Sequence, residues 1–529
     1  MKKTTCFISL AIAALFISCS STTDDASISL SVPREIISSV FKSSDGSESL
    51  SDYPIKKIKC TLLDKNEKEI DSQTDDIAEN TNTVITFSGI PAGTKVSASA
   101  TIYGSDNENS TEYSLYAGQS GKITVKPGNN TITLKLKKTT TTVVLYNNTS
   151  DKTIPALSYA TLTSSGLSTP KELLANTNNA NNSTEIVDYC FDTSNNLYAI
   201  VKQTGANIPY SIKKYEYNGS GYSNTPIIYD CTMDIINYIS HIEAADNSTL
   251  YAGVGTDSGA KIAKITFTAP NETSENGTAT FTLYDLSIEY LESYSIYTFC
   301  TDTDGTNFYI ITNIDGTCEL ASYTVKKGTL TKGNSITLVS NSDEAGYSSD
   351  IFSTPTNNLS ILFYSDICYI NDTLYLLVKE LSGPSTTALY SRGALCTFNV
   401  SDAGISAGKI GIGYQTTEGS ISYTGDPYES ENYPTVTQPS YLGDGKSTFY
   451  GPVKFVARKE DELIIADEGY SVTSEPYKKN PSHTQGTVLS KNAVVTYNLS
   501  KETLNFATLE GEYFENEYSG YFYGSSIQY

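Results

Sequence analysis

Alternating apolar and polar residues dominate the first quarter of the chain. Ile58, Cys60 and Leu62 alternate with polar neighbours, as do Val96, Ala98 and Ala100, and Ile132, Leu134 and Leu136 interleave with threonine and lysine. A period of two sends successive side chains to opposite faces of a strand, so each run predicts a strand with one buried face. The segments Gly89-Ile90-Pro91-Ala92-Gly93 and Lys126-Pro127-Gly128-Asn129-Asn130 punctuate the runs with turn residues. Residues 28–138 therefore read as a small antiparallel β-sandwich with no evident chemistry.

Beyond residue 138 a repeat takes over. An apolar-Tyr pair recurs as Leu145-Tyr146, Leu197-Tyr198, Leu250-Tyr251, Phe308-Tyr309 and Leu374-Tyr375, with a weaker Leu463-Ile464, at intervals of 52, 53, 58, 66 and 89 residues. Downstream of each lies a second pattern of spaced apolar residues: Leu157/Ala160/Leu162, Ile212/Tyr215/Tyr217, Ile262/Ile265/Phe267, Leu320/Tyr323/Val325, Leu395/Phe398/Val400 and Val494/Tyr497/Leu499. Most pairs also have a short strand and a polar turn just upstream, as in Cys190-Phe191-Asp192 and Cys368-Tyr369-Ile370-Asn371-Asp372. Four short strands per unit of roughly 50 residues is the signature of a propeller blade. Residues 139–529 thus resemble the β-propeller superfamily, and six units imply six blades. The Trp-Asp of WD40 repeats is missing. The first unit lacks an upstream strand, and the C-terminal tail with Tyr521-Phe522-Tyr523 is expected to supply it and close the ring, removing exposed edges. The expected fold is all-β: an antiparallel β-sandwich followed by a six-bladed β-propeller closed by the C-terminal tail. The pattern from Phe87-Ser-Gly-Ile-Pro-Ala-Gly through Tyr116-Ala-Gly to Pro127-Gly-Asn-Asn resembles the Ig-like or transthyretin-like modules that follow the anchor of bacterial surface lipoproteins, and the resemblance implies that residues 28–138 serve as a spacer.

The N-terminus sets the compartment. Lys2 and Lys3 precede an apolar run from Cys6 to Ile17, followed by Ser18-Cys19-Ser20. This is the layout of a secretory signal, and its apolar run is too short for the roughly 20 residues of a spanning helix. Phe16-Ile17-Ser18-Cys19 resembles a bacterial lipobox, although Phe16 stands where leucine is commonest. The resemblance implies a signal peptide over 1–18, lipidation at Cys19 and a tether over 19–27. It also implies localisation at the bacterial cell envelope, lipid-anchored at the outer membrane or cell surface. Several acyl chains, at about 0.8 kcal/mol per buried CH₂, give durable anchoring.

Composition narrows the chemistry. The 529 residues carry 59 acidic against 36 basic side chains, a net charge of −23, which argues against nucleic acid as partner. Only two histidines, His241 and His483, are present, so a histidine-rich metal site is excluded and a histidine-based triad must use one of these two. His241 reads as preceding the first strand of its unit and His483 as lying in a long loop. Seven of nine cysteines remain after the signal and Cys19 are set aside; an odd number without C-x-x-C argues against a disulfide framework. Cys190, Cys300 and Cys368 fall at matching positions and read as small buried side chains, with Glu243 and Val456 in the same column. Asp302-Thr-Asp304-Gly305 resembles half a calcium loop but lacks the further ligands, and reads as a turn. No metal, cofactor or catalytic residue is assigned.

Function is expected in three long segments, Lys379–Gly393, Thr416–Gly451 and Asp467–Lys491. In an up-and-down meander these all emerge on one face. Long loops on a rigid scaffold commonly carry binding, and tyrosine offers contact area at low entropic cost. The candidate ligand-binding residues are Tyr423, Asp426, Tyr428, Tyr433, Tyr441, Asp467, Tyr470 and Tyr477. The resulting expectation is a non-enzymatic, membrane-anchored surface lipoprotein that binds a protein or glycan. The alternatives are a carboxylate-dependent extracytoplasmic hydrolase of glycosidase type and an envelope-assembly scaffold.

Overall fold

The computed structural model describes residues 25–31, 55–77, 84–105, 112–134, 136–147, 155–163, 166–177, 183–203, 209–218, 221–246, 248–270, 274–286, 294–302, 305–314, 317–326, 328–340, 348–349, 359–385, 388–414, 420–423, 434–437, 449, 451–458, 461–468, 471–474, 487–488 and 493–508. Every regular element among them is a β-strand. The chain divides into two compact units. One holds the described residues up to Thr141 together with Thr161–Ser168; the other holds Thr142–Ala160 and the described residues from Thr169 onward.

The first unit contains two sheets. In one, Asp25–Ser31 lies between Val84–Pro91 and Gly128–Ile132; in the other, Ile55–Leu63 and Lys95–Ser105 form the centre, flanked by Glu69–Asp76 and Glu112–Gln119. Their alternating apolar residues share one core, which includes Ile28, Ile58, Cys60, Leu62, Phe87, Val96, Ala98 and Ile132. The first two alternating runs of the sequence thus bury the expected faces. Two details differ from expectation. The pairing is not wholly antiparallel, because Ala26–Leu30 runs parallel to Gly128–Ile132. The last strand also stops at Ile132, although Leu134 is still buried and Leu136 packs against the same core.

The second unit is built from consecutive antiparallel meanders. Among the described residues, five have four strands each. The first comprises Thr184–Phe191, Leu197–Gln203, Tyr210–Tyr215 and Ile227–Cys231. The second comprises Tyr238–Ala244, Leu250–Thr256, Gly259–Thr268 and Gly277–Leu286. The third comprises Tyr294–Thr301, Asn307–Ile314, Thr317–Lys326 and Thr329–Ser340. The fourth comprises Leu359–Ile370, Thr373–Ser385, Ala388–Ser401 and Gly404–Ala407. The fifth comprises Pro452–Arg458, Glu462–Asp467, Ala493–Asn498 and Thr503–Thr508. Ahead of them, Thr141–Tyr146 and Leu157–Thr163 share a smaller sheet with Lys171–Leu174.

The two sequence patterns of the repeat prove to be ladder partners. The apolar residue of each pair opens the second strand and sits opposite the third strand's motif residue: Leu197 faces Tyr215, Leu250 faces Ile265, Phe308 faces Tyr323, Leu374 faces Phe398 and Leu463 faces Tyr497. The second strands are buried on both faces, as over Leu197–Val201, Leu250–Gly255 and Leu463–Asp467. Sheets apolar on both faces must stack, and the cores lie between neighbours. One core joins Ile200 and Ile212 to Ile242 and Leu250, another joins Ile262 to Phe299 and Phe308, a third joins Tyr309 and Leu320 to Leu374 and Leu376, and a fourth joins Leu377 and Leu395 to Leu463 and Val495.

Leu145-Tyr146 departs from this beat. It closes its strand, Thr141–Tyr146, instead of opening one, so the first unit of the repeat is out of phase with the other five. The tail proposed to complete it lies outside the described residues. The turns between first and second strands are built from Asn and Asp as expected. Asn371 and Asp372 both have positive φ, 48° and 58°, the geometry of a two-residue type I′ hairpin. Asp302 accepts from the Thr306 amide and hydroxyl and from the Asn307 side chain, so both its oxygens are used within the turn. Asn371→Val, which forces a branched side chain into a left-handed backbone, should cost about 1–2 kcal/mol, whereas Asn371→Gly should be neutral or better; urea unfolding of the full chain measures both.

Candidate functional site

The roots of the three long segments meet. Lys379–Gly393 is not a loop: the strands Thr373–Ser385 and Ala388–Ser401 continue through it as a ladder with Lys379 opposite Gly393 and Ser385 opposite Ala388. Beyond the body of the sheet, Ala388–Tyr390 pairs with Val472–Ser474, so the insertions of the fourth and fifth meanders share one sheet. At its base the Gly393 amide donates to the Phe449 carbonyl at 3.2 Å and the Glu468 amide to the Gly451 carbonyl at 2.9 Å. The Gly451 amide donates to Asp467 Oδ1 at 2.9 Å. Lys379, 1% exposed, places its ammonium against the Glu468 carboxylate. Glycine is required at two of these positions by close approach: a Cβ on Gly393 would stand 2.1 Å from Pro452 Cδ, and one on Gly451 2.6 Å from Glu468 Cγ.

A second polar cluster runs along the first strands of the meanders. Each of these strands carries a bulge, after Ile186, Ile239, Ile296, Tyr364 and Pro452. A bulge re-aims the side chain that follows. The residues just past the bulge occupy equivalent ladder positions: Asp188 opposite Ile200, His241 opposite Gly253, Thr298 opposite Ile311, Asp366 opposite Leu377 and Lys454 opposite Ala466. Four of them form one network. Asp188 takes His241 Nδ1 at 2.6 Å on one oxygen and Lys454 Nζ at 2.7 Å on the other; Asp366 stands 3.5 Å from the same ammonium. Backbone amides complete the shells: Ile242 donates to Asp188, and Ile367 and Phe455 donate to Asp366. The ammonium also lies 5.5 Å from the centre of the Tyr189 ring.

The electrostatics follow from this packing. Burial opposes the Asp188 charge, but Lys454 and His241 outweigh it and hold the carboxyl well below the usual carboxylate range. Burial likewise opposes the Lys454 cation, and Asp188 and Asp366 reverse the balance, leaving its pKa above the ordinary lysine value. The Tyr146 hydroxyl is raised, first by burial and then by Glu468. Lys454 compensates the carboxylates of Asp188 and Asp366, with hydrogen bonds from His241 and backbone amides beside it, and no cluster that could hold a metal ion is present among the described residues.

The sequence-based candidates distribute unevenly. Asp467 is 1% exposed and turned inward onto Gly451; it serves the root of the insertions. Tyr423 ends the short strand Ser420–Tyr423, opposite Pro434. Asp426, Tyr428, Tyr433, Tyr441, Tyr470, Tyr477, Cys19 and His483 lie outside the described residues. His241, expected ahead of its strand, lies within Tyr238–Ala244. Cys190, Cys300 and Cys368 do share a register, each opposite the tyrosine of its pair. They belong to three separate cores, and burial raises the Cys190 thiol well above its ordinary value. The column two residues upstream of these cysteines, on the same strand face, is the polar one that sequence reading passed over.

The TdpA C-terminal domain family matches residues 336–521, about a third of the chain. No curated protein matches. Among solved structures the chain is similar to a protein from Lactobacillus plantarum at 11% identity and TM-score 0.32, with 71% of this chain and 100% of that one covered. It is similar to a chain of a nidogen/laminin complex at 10% identity and TM-score 0.27, with 51% and 94% covered. A prolyl endopeptidase is similar at 9% identity and TM-score 0.27, with 90% and 51% covered.

Removing one member of a buried ion pair strands the other's charge, at about 3–5 kcal/mol. Lys379→Met and Glu468→Leu should each destabilise in that range. The double replacement Lys379→Met with Glu468→Leu should recover a large part of the loss, as read from a double-mutant cycle in chemical denaturation.

Proposed function

We propose that the chain is a lipid-anchored surface protein whose second unit is a six-bladed propeller, and that the propeller binds a protein or glycan through its long insertions. The observation that carries the reading is the rooting of all three insertions in one buried knot: Lys379 and Gly393 from the fourth meander, Phe449 and Gly451 from the connection, and Asp467 and Glu468 from the fifth. The roots of three long segments from separate places in the sequence come together, which suits a shared recognition surface. A rigid base with tyrosine-rich extensions is a favourable arrangement for binding, because little order has to be created on contact.

Closure into a ring is supported by Lys454 of the last meander reaching Asp188 of the first four-stranded one. In this reading the out-of-phase strand Thr141–Tyr146 and the C-terminal tail share the remaining sheet. The acidic residues that converge in the interior are paired with cations and capped by amides, which supports a structural role for them and places the non-enzymatic reading ahead of the hydrolase. In this reading Cys19 carries the lipid, the residues between it and the strand Asp25–Ser31 form a tether shorter than the expected 19–27, and the unit that begins with that strand is the spacer.

Two experiments test the proposal. The full chain and a variant with alanine at Tyr423, Asp426, Tyr428, Tyr433, Tyr441, Tyr470 and Tyr477 are presented to a glycan array and to labelled envelope proteins. Binding by the parent and its loss in a folded variant is the expected result; equal binding by both overturns the assignment of the sector. Separately, expression in a bacterium fed alkyne-palmitate should label the parent and leave Cys19→Ala unlabelled and released from the membrane fraction. A Cys19→Ala protein that still takes up label removes the anchor.

A further inference from the structure

His241 is 5% exposed and has a partner at each ring nitrogen: Asp188 Oδ2 at 2.6 Å from Nδ1, and the Phe299 carbonyl at 3.0 Å from Nε2. A carbonyl only accepts, so Nε2 must carry a proton. Asp188 is a carboxylate that already accepts from Lys454 and from the Ile242 amide, so it accepts from Nδ1 as well. An imidazole with both nitrogens donating is a cation. The three groups it ties belong to three different meanders: His241 itself on Tyr238–Ala244, Asp188 on Thr184–Phe191 and Phe299 on Tyr294–Thr301.

We infer that His241 is held as an imidazolium that rivets three meanders together, so that the packing of these sheets depends on a proton and weakens when that proton is lost. The inference stands on these contacts and does not depend on the proposed ligand or anchor. The charged and titratable groups around the ring are Asp188 on one neighbouring strand, Lys454 and Asp366 on the strands beyond it, and Glu243 two residues along its own strand, which acts on Lys454. The Phe299 ring meets the imidazole edge to face at 4.9 Å. Burial works against the cation and Lys454 repels it, but Asp188 outweighs both and the net displacement is upward. A folded-state value above the unfolded one gives stability that is complete below about pH 6.5, the unfolded histidine value, and is lost as pH rises through the folded value.

The chain has only two histidines, so imidazole NMR on the full-length protein is simple to read. In ¹⁵N long-range correlation spectra recorded across a pH series, His241 should keep the doubly protonated signature to a higher pH in the folded protein than in the urea-denatured protein. His241→Gln assigns the pair, with His483→Gln doing so if that variant fails to accumulate. A His241 signal that titrates no higher in the folded protein than in the denatured one overturns the inference. Thermal unfolding gives an independent reading. The parent should lose melting temperature between pH 6 and 8, and a folded His241→Gln should melt lower at pH 6 with a flatter slope, so that the gap narrows as pH rises. A variant slope as steep as the parent's removes the role.

Discussion

A strand that is apolar on both faces cannot remain at a surface, and this constraint organises the second unit. Leu197–Val201, Leu250–Gly255 and Leu463–Asp467 are buried throughout. A four-stranded meander containing such a strand has to be covered above and below by other sheets. Consecutive meanders supply that cover, and each core is correspondingly drawn from two of them. Aromatic rings mark the joints: Tyr251 meets Phe308 edge to face at 4.8 Å, and Tyr309 stacks on Tyr369 at 5.4 Å. Side chains that look interchangeable along the repeat are thereby assigned to particular partners on the next sheet.

The first strands obey a different rule. They carry Asp188, His241, Asp366 and Lys454 inward at positions equivalent to one another. Withdrawing an ion from water costs several kcal/mol even after relaxation, so these groups are tolerable only together. Each charge faces an opposite one, and the leftover carboxylate lone pairs meet the amides of Ile242, Ile367 and Phe455. Apolar packing is permissive about which sheet sits beside which. A network of fixed distances and directions is more exacting, and here it ties together the first strands of four meanders.

Much of the strand arrangement was readable from spacing because a ladder register is a sequence property. Leu197 and Tyr215, or Phe308 and Tyr323, are recognisable as recurring types before they are seen to face each other. The cysteine column was readable for the same reason. The polar column two residues upstream was not, since Asp, His, Thr, Asp and Lys have no common chemistry and show their equivalence only through the bulge that each follows. Length misled in one place: Lys379–Gly393 looked like an inserted loop, yet its two halves keep the alternation and simply extend a hairpin. The pair Leu145-Tyr146 had the right residues in the wrong phase, because a dipeptide specifies what is buried and not which end of a strand it occupies. Asp467 was grouped with loop acids by its position at the edge of a long segment, whereas its carboxylate is needed by the Gly451 amide inside.

That last contrast separates two kinds of acid. Asp467 and Glu468 end an apolar strand and are drawn inward by an amide and by Lys379, partners that themselves would be costly to leave unmet in the interior. Gly393 and Gly451 permit this, since at both positions a Cβ would collide with Pro452 or Glu468. Backbone approach, amide donation and a buried ion pair are therefore one device, and each part loses its purpose without the others. It fixes where the extensions leave the sheet.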